Sequence, residues 1–392
     1  MMDKIIGRLM GRGDVWENQE LKRRLNHYYK LLQEDLPQNA FYLICKSIPS
    51  EIKKCQESKS TVSSANFESS HSFNKLWDEH QRLKRYFEEN LVELVDKSLN
   101  PKEFPEYSFL DLKIDIVDKM LECCNFCERN CQINRKEGKK GYCGIGGTSY
   151  YSSAFLHHGE EAPLVPSGTI FFTGCNLGCI FCQNDDLSAA GKEFDLAQSG
   201  TRIDPERLAQ VATRLSDRDA LNINYVGGDP TPNIHTILKS MKFQEHNVCQ
   251  LWNSNFYNSI DVLKLLSDVM DVWLPDFKYG NNECAQKYSG VPDYWDILRR
   301  NFRYINTHGS KNIIIRHLIM PNHIECCSKP ILKWLAENMK DHVVVNLMGQ
   351  YRPEYKVNRK DYPEINRRPS KDEIDSAFTY AQKLGLEYQS VS

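Results

Sequence analysis

The sequence predicts an α/β protein built on a partial (β/α)6 barrel of the TIM type, with a helical N-terminal region and a cysteine-rich metal-binding insert. Three observations predict it. After Thr169, six apolar strand-like runs alternate with amphipathic helical patterns. Residues 1–107 carry helical periodicity, with no cysteine pattern and no glycine-rich loop. Between the two, residues 108–150 hold five of the 14 cysteines. The expected units are therefore 1–107, 108–150 and 151–392.

In 21–36, Leu21, Leu25, Tyr28, Tyr29, Leu32 and Leu36 recur at spacings of three and four, which is the period of an amphipathic helix. A Ser/Asn-rich break at 58–72 precedes a second helical stretch at 73–99. Such a region reads as a cap on the main domain or as a docking surface for a macromolecular substrate. The expected strands are Thr169–Thr173, Leu221–Val226, Val248–Asn253, Val272–Phe277, Ile313–Ile319 and Val343–Leu347. Helical patterns such as PERLAQVATRLS and KPILKWLAENMK lie between them. Strand-then-helix repetition means a parallel sheet with right-handed crossovers. Eight such units close a barrel, whereas six leave one side open.

Lys+Arg 50 against Asp+Glu 52 leaves a net charge of -2, so there is no electrostatic case for nucleic acid as a partner. Seven cysteines fall in two compact groups instead of being dispersed as disulfide pairs would be. That pattern points to a reducing interior and to metal binding. No run reaches ~18 uninterrupted apolar residues, and the first residues lack a signal-peptide core. The expectation is a cytoplasmic protein without a membrane partner.

Cys175, Cys179 and Cys182 stand in one loop, TGCNLGCIFCQN, directly after the first strand. Three thiolates this close can hold three irons of a [4Fe–4S] cube and leave the fourth iron open for a ligand. A zinc knuckle would need a fourth Cys or His nearby, and none follows within the loop. Cys124, Cys127, Cys131 and Cys143 form the second group, with Cys123 beside it. Four thiolates at these separations suit zinc or an auxiliary iron–sulfur cluster. Cys326-Cys327, near His323 and Glu325, reads as local packing, and Cys45, Cys55, Cys249 and Cys284 read as isolated thiols.

The remaining polar groups follow strand ends, where barrel proteins place their chemistry. Gly227-Gly228-Asp229-Pro230 follows the second strand, and Asn253-Ser254-Asn255 the third. Asp276-Phe277-Lys278, Arg316-His317 and Gly349-Gln350 follow on the next three. Carboxylate, cation and amide groups on one rim suit a zwitterionic cofactor. His317 reads as a barrel-wall residue.

Together with HHGEEAPLVPSG, NINYVGGDPTPN, DFKYG and QYRPEYK, the cysteine loop resembles the radical S-adenosylmethionine (radical SAM) superfamily. The likeness is to the branch related to pyruvate formate-lyase activating enzyme, with an N-terminal Cys-rich segment, and it spans roughly 108–388. It implies a [4Fe–4S] cluster that reductively cleaves SAM, fed by an electron donor such as flavodoxin or ferredoxin. It also implies oxygen-sensitive oxidoreductase or protein-modification chemistry, in which a hydrogen atom is taken from a protein or peptide. By resemblance, Gly227 to Pro230 take the place of a GGE motif that contacts the SAM amino group. Asp276 and Lys278 resemble an activase Asp-x-Lys motif that positions SAM or peptide with the help of an arginine, here Arg316. The long helical region, and a second cysteine site placed before the first, depart from a plain activase. Two alternatives stay open: a cobalamin-dependent radical methyltransferase acting on a protein residue, and a non-catalytic iron–sulfur carrier.

Overall fold

The computed structural model describes residues 15–33, 38–52, 65–188, 199–386 and 388–389. All six expected strands form, and three more join them in one nine-stranded sheet. The strands are β1 (Ser149–His157), β2 (Ser167–Phe172), β3 (Thr201–Ile203), β4 (Asn222–Gly227) and β5 (Cys249–Ser254), followed by β6 (Val272–Pro275), β7 (Ile313–Leu318), β8 (Val343–Met348) and β9 (Tyr388–Gln389). Their order is β3-β1-β2-β4-β5-β6-β7-β8-β9. From β2 to β9 every neighbour is parallel, while β1 runs antiparallel to both β2 and β3. The sheet keeps two edges, so the barrel stays open on one side.

Local chemistry starts and stops the helices between strands. Helix Pro205–Ser216 has Pro205 in its first turn and an Asp204 cap whose carboxylate accepts from the Arg207 N–H at 2.8 Å. Helix Lys371–Leu384 opens on a Ser370/Glu373 capping box and ends on Gly385 at φ 66°.

Alternation along the strands sorts their side chains into two faces. Ile223, Tyr225, Trp252, Trp273, Ile313, Ile315, Val343 and Val345 face outward and pack on helix residues such as Leu208, Leu238, Leu263, Phe302 and Leu332. Cys249, Leu251, Val272, Leu274, Ile314 and Val344 face inward, at the lower end of the barrel.

Those inward residues are covered by the N-terminal region. Trp16, Leu21, Leu25 and Tyr28 pack directly on them. The expected helix over 21–36 is two short helices, Gln19–Arg24 and Asn26–Leu31, with a kink at Leu25 (φ -107°, ψ 39°). Residues 34–37 lie outside the described set. The apolar stripe that a docking surface would need is thus spent as a plug in the barrel floor. His27 and the Phe41 N–H both bond the Asp271 carboxylate, at 3.0 and 2.9 Å, and fix the plug to the sheet. A 25-residue helix, Ala65–Glu89, begins inside the Ser/Asn-rich stretch read as a break.

A buried charge cluster pins this helix and helix Phe109–Met120 to the barrel. Lys84 and Lys113 donate to opposite oxygens of Asp268 at 2.8 and 2.7 Å, and Lys113 also donates to His80 at 3.0 Å. Burial alone would raise the Asp268 carboxyl, but Lys113 and Lys84 hold it well below the ordinary range. Its contribution to stability is therefore present above about pH 4 and is lost as pH falls toward that depressed value. Asp268→Asn strands the fully buried Lys113 ammonium, while Lys84 keeps its pair with Glu88 at 3.0 Å, and is expected to lower the unfolding free energy by about 3 kcal/mol. Urea unfolding at neutral pH checks the loss, and the variant should lose less further stability on acidification than the parent does.

Candidate active site and metal centres

The inward face changes character above the plug. At the C-terminal strand ends lies a cavity of about 400 Å³, walled by Cys175, Cys179, Cys182, Gly227, Gly228, Asp229, Asn253, Asn255, Asp276, Lys278, Arg316 and Gln350. Every residue singled out for the core site is on that wall except Pro230, which is buried at the start of the turn Thr231–Asn233.

The cysteine loop is held by neighbours that reach its sulfurs. Asn255 points its amide at Cys175 Sγ (3.7 Å) and donates to Asn176 Oδ1 at 2.6 Å. Cys179 Sγ lies 2.9 Å from Ser289 Oγ. Gly174 at φ 88° turns the chain out of β2. Burial pushes the thiols of Cys175, Cys179 and Cys182 up, so a cation is what would hold them as thiolates.

Gly227 presses against the end of β2 and Gly228 against the backbone of the cysteine loop. A Cβ on Gly227 (φ 133°) would meet Phe172 O at 2.0 Å, and one on Gly228 would meet Gly174 O at 2.4 Å. The Asp229 carboxylate accepts from the Thr231 N–H at 2.9 Å, the Asn255 N–H at 2.8 Å and Ser254 Oγ at 3.1 Å. It therefore ties the ends of β4 and β5 together, and any ammonium group reaching it shares oxygens that already hold three donors. Burial raises its carboxyl, and these hydrogen bonds oppose the rise.

Lys278 pairs with Asp276, and burial, which would weaken its charge, is outweighed by Asp276 and Cys179. Arg316 is bidentate to Glu161, at 2.6 and 2.8 Å, bonds Glu160, and donates to Asn253 Oδ1 at 3.3 Å. Burial would raise Glu160, yet Arg316 and His157 bring it down to about 2. Glu160, Glu161 and His157, on the cavity wall, were not singled out as site residues from sequence. The HHGEE run between β1 and β2 was their only signal. The amide nitrogen of Asn253 is buried in the wall with no protein acceptor, a donor left for a ligand. His317 faces the helices instead, bonding Phe277 O and Ser328 Oγ at 2.8 Å each.

The second cysteine group folds against the first. Cys124, Cys127, Cys131 and Cys143 line one small cavity with Arg135, Tyr142 and Asn176. Buried Arg135 donates to Gly146 O and Pro232 O, at 2.7 Å each, and points at Cys124 Sγ (3.8 Å). Arg129 donates to Asn176 O at 2.9 Å. Asn176 is thus shared by both sites.

Among the described residues, the one Cys/His/carboxylate trio with ligand atoms all within 4.8 Å of one another is Cys284, His323 and Cys326. A zinc ion bound by thiolates at about 2.3 Å would draw them to roughly 3.8 Å apart. No three sulfurs of either larger cysteine group lie that close together. The trio corrects the reading of Cys284 as isolated, since the fold sets it beside His323 and Cys326. Cys55 lies outside the described residues.

The radical SAM superfamily model matches residues 169–335. A protein of Methanocaldococcus jannaschii named "Uncharacterized protein MJ0674" is 42% identical over 314 residues, covering 80% of this chain and 89% of its own. A radical SAM methyltransferase structure from Sphaerobacter thermophilus aligns with TM-score 0.43 and 12% identity over 57% of this chain and 66% of its own. QueE from Escherichia coli gives 0.39 and 12% over 62% and 93%. Streptococcus suis SuiB bound to its precursor peptide SuiA gives 0.40 and 13% over 83% and 62%. The chain belongs to the radical SAM superfamily, whose members are enzymes that use a [4Fe–4S] cluster and SAM. No helix among the described residues is long and apolar enough to cross a membrane.

Cys127→Ala should remove the metal of the Cys124–Cys143 group and lower thermal stability, because loops 121–148 have little regular structure of their own. Metal analysis should find the iron at Cys175, Cys179 and Cys182 retained. Unchanged metal content would mean that the four thiols hold nothing.

Proposed function

We propose that the protein takes a hydrogen atom from a protein or peptide, in the manner of a glycyl-radical activase or a peptide-modifying enzyme. The observation that carries this reading is the single cavity at the strand ends. It sets three thiolates, an unpartnered Asn253 donor, the Asp276–Lys278 pair and the Arg316 ion triad on one wall. Cluster and SAM together supply one chemistry there, reductive cleavage of SAM and abstraction of a hydrogen atom.

The protein's own groups divide the remaining work. Lys278 sets a positive charge beside the Cys179 sulfur and so favours its thiolate form. Asp229 positions Asn255, which in turn holds Cys175 and Asn176. Arg316 with Glu160 and Glu161 closes the cavity floor over the N-terminal plug. An auxiliary iron–sulfur cluster at Cys124, Cys127, Cys131 and Cys143 would be linked to the core site through Asn176.

A polypeptide substrate is favoured by the open side. Both flanks of the gap reach the cavity, through His157 and Phe171 from β1 and β2 and through Met348 and Gln350 from the end of β8. Phe155 is 39% exposed on β1 and stacks on Phe171 at 5.6 Å, an aromatic surface at that flank. A reacting carbon must come within ~3–3.5 Å of its partner atom, which a loop entering sideways can satisfy. No observation favours the corrinoid-dependent alternative, and a carrier would not need the enclosed wall.

Anaerobically reduced protein is expected to form 5′-deoxyadenosine from SAM, and Cys179→Ala to abolish this. The substrate class is checked with a proteome from deuterium-grown cells, separated into protein and small-molecule fractions. Deuterium should appear in 5′-deoxyadenosine from the protein or peptide fraction. Transfer from the small-molecule fraction alone would overturn the substrate assignment.

A further inference from the structure

Cys284, His323 and Cys326 come from two separate elements that the fold brings together away from the core cavity. Cys284 sits in the first turn of helix Asn282–Ser289, and Cys326 sits in a five-residue π-helix, Ile324–Ser328. Short π-helical turns are uncommon and concentrate at functional sites. Asn281 joins the two elements. Its side chain accepts from the Cys284 N–H at 2.8 Å and donates to Cys326 O at 2.8 Å. A Cβ on Gly280 would lie 2.7 Å from Cys327 O and 2.8 Å from Cys326 O, so only glycine lets the backbones approach this closely.

The tautomer of His323 leaves a nitrogen available. Nδ1 donates to Pro321 O at 2.7 Å, which places the proton there and the lone pair on Nε2. Nε2 faces Tyr288 Oη at 3.1 Å, but the single Tyr288 proton goes to the Glu364 carboxylate at 2.7 Å. The ring is 5% exposed, so open water does not reach this lone pair, and the proton the protein offers it is that of the Cys284 thiol, one of the candidate ligands itself. A backbone carbonyl on the far nitrogen is the arrangement that orients metal-bound imidazoles.

We propose that Cys284, His323 and Cys326 bind one zinc-class ion, a third metal site distinct from both cysteine clusters. Two thiolates and an imidazole within 4.8 Å are a soft-to-borderline donor set of tetrahedral preference. Cys327 is a further thiol beside the trio, its sulfur 3.9 Å from that of Cys326 and also met by the Asn281 amide at 3.9 Å, the Gly280 N–H and the Cys284 thiol. Binding requires loss of the thiol protons to solvent and a contraction of the donors to roughly 3.5–3.8 Å, with no change of oxidation state. The ion would clamp the helix whose far end supports the core loop. Tyr288 O and Ser289 O accept from the N–H groups of Ile180 and Gly178 at 2.9 and 3.0 Å.

The test is metal analysis of the full chain, produced anaerobically with zinc supplied and stripped of loose metal by a weak chelator. The parent should hold one zinc per chain beyond its iron. Cys326→Ser and His323→Ala should each lose that zinc with iron unchanged. Cobalt(II) added to zinc-free parent should give the visible bands of a tetrahedral thiolate site, weakened in Cys326→Ser. Cobalt binding reads the site in the parent itself, so the result does not depend on a variant folding. No zinc in the parent, zinc retained in both variants, or a disulfide joining Cys284 to Cys326 or Cys327 would each overturn the assignment. The iron count is read on the same samples, so failure here is distinguishable from failure of the radical SAM reading.

Discussion

The structure depends on filling the inside of an incomplete barrel. The parallel strands β2 and β4 to β8 present an inward face that needs contents along its whole height, because an empty apolar channel forfeits both burial and packing contacts. The lower third is filled by Trp16, Leu21, Leu25 and Tyr28. The middle is filled by Arg316 with Glu160 and Glu161, and by Asn224 and Asn346, which bond those carboxylates at 3.2 and 2.7 Å. The upper third is the cavity. Each layer gives the next a floor, and the polar middle layer is tolerable because its charges are paired where water is scarce.

That layering explains why the two cysteine groups are neighbours. The insert packs over the motif loop at the barrel mouth, with Arg129 and Asn176 joining them and Phe126 O accepting from the Ser259 N–H at 3.2 Å. A metal lost from the insert would loosen contacts that end one residue from Cys175. Asp229 plays the corresponding part on the other side of the loop, holding the ends of two strands in the register that lets Gly227 touch Phe172. The site is therefore shaped from both flanks by groups that do not themselves need to meet a substrate.

Much of this was legible in the sequence, for physical reasons. Parallel strands buried on both faces read as continuous apolar runs, which is why β2 and β4 to β8 stood out. β1 (SYYSSAFLH) did not, because it is half exposed and rich in serine, and β3 and β9 are three and two residues long. Leu21, Leu25 and Tyr28 gave the right helical period, but period alone does not say whether a stripe meets a partner or its own barrel. Glu161 lies 155 residues from Arg316, and no local pattern links them. Cys284 and Cys326 were hidden in the same way, on two elements that meet only in the fold. Spacing found the residues whose chemistry is local, namely the cysteine loop and the glycine turn, and missed those assembled by topology.

The most direct test of the account is the electron paramagnetic resonance spectrum of anaerobically reduced protein, recorded with and without SAM. Three thiols at the cavity and four at the insert predict two reduced-cluster signals, of which one shifts when SAM binds. In Cys127→Ala the unshifted signal should vanish while the SAM-sensitive one stays. A reduced spectrum indifferent to SAM would contradict the central claim that this cavity is where SAM meets an open iron.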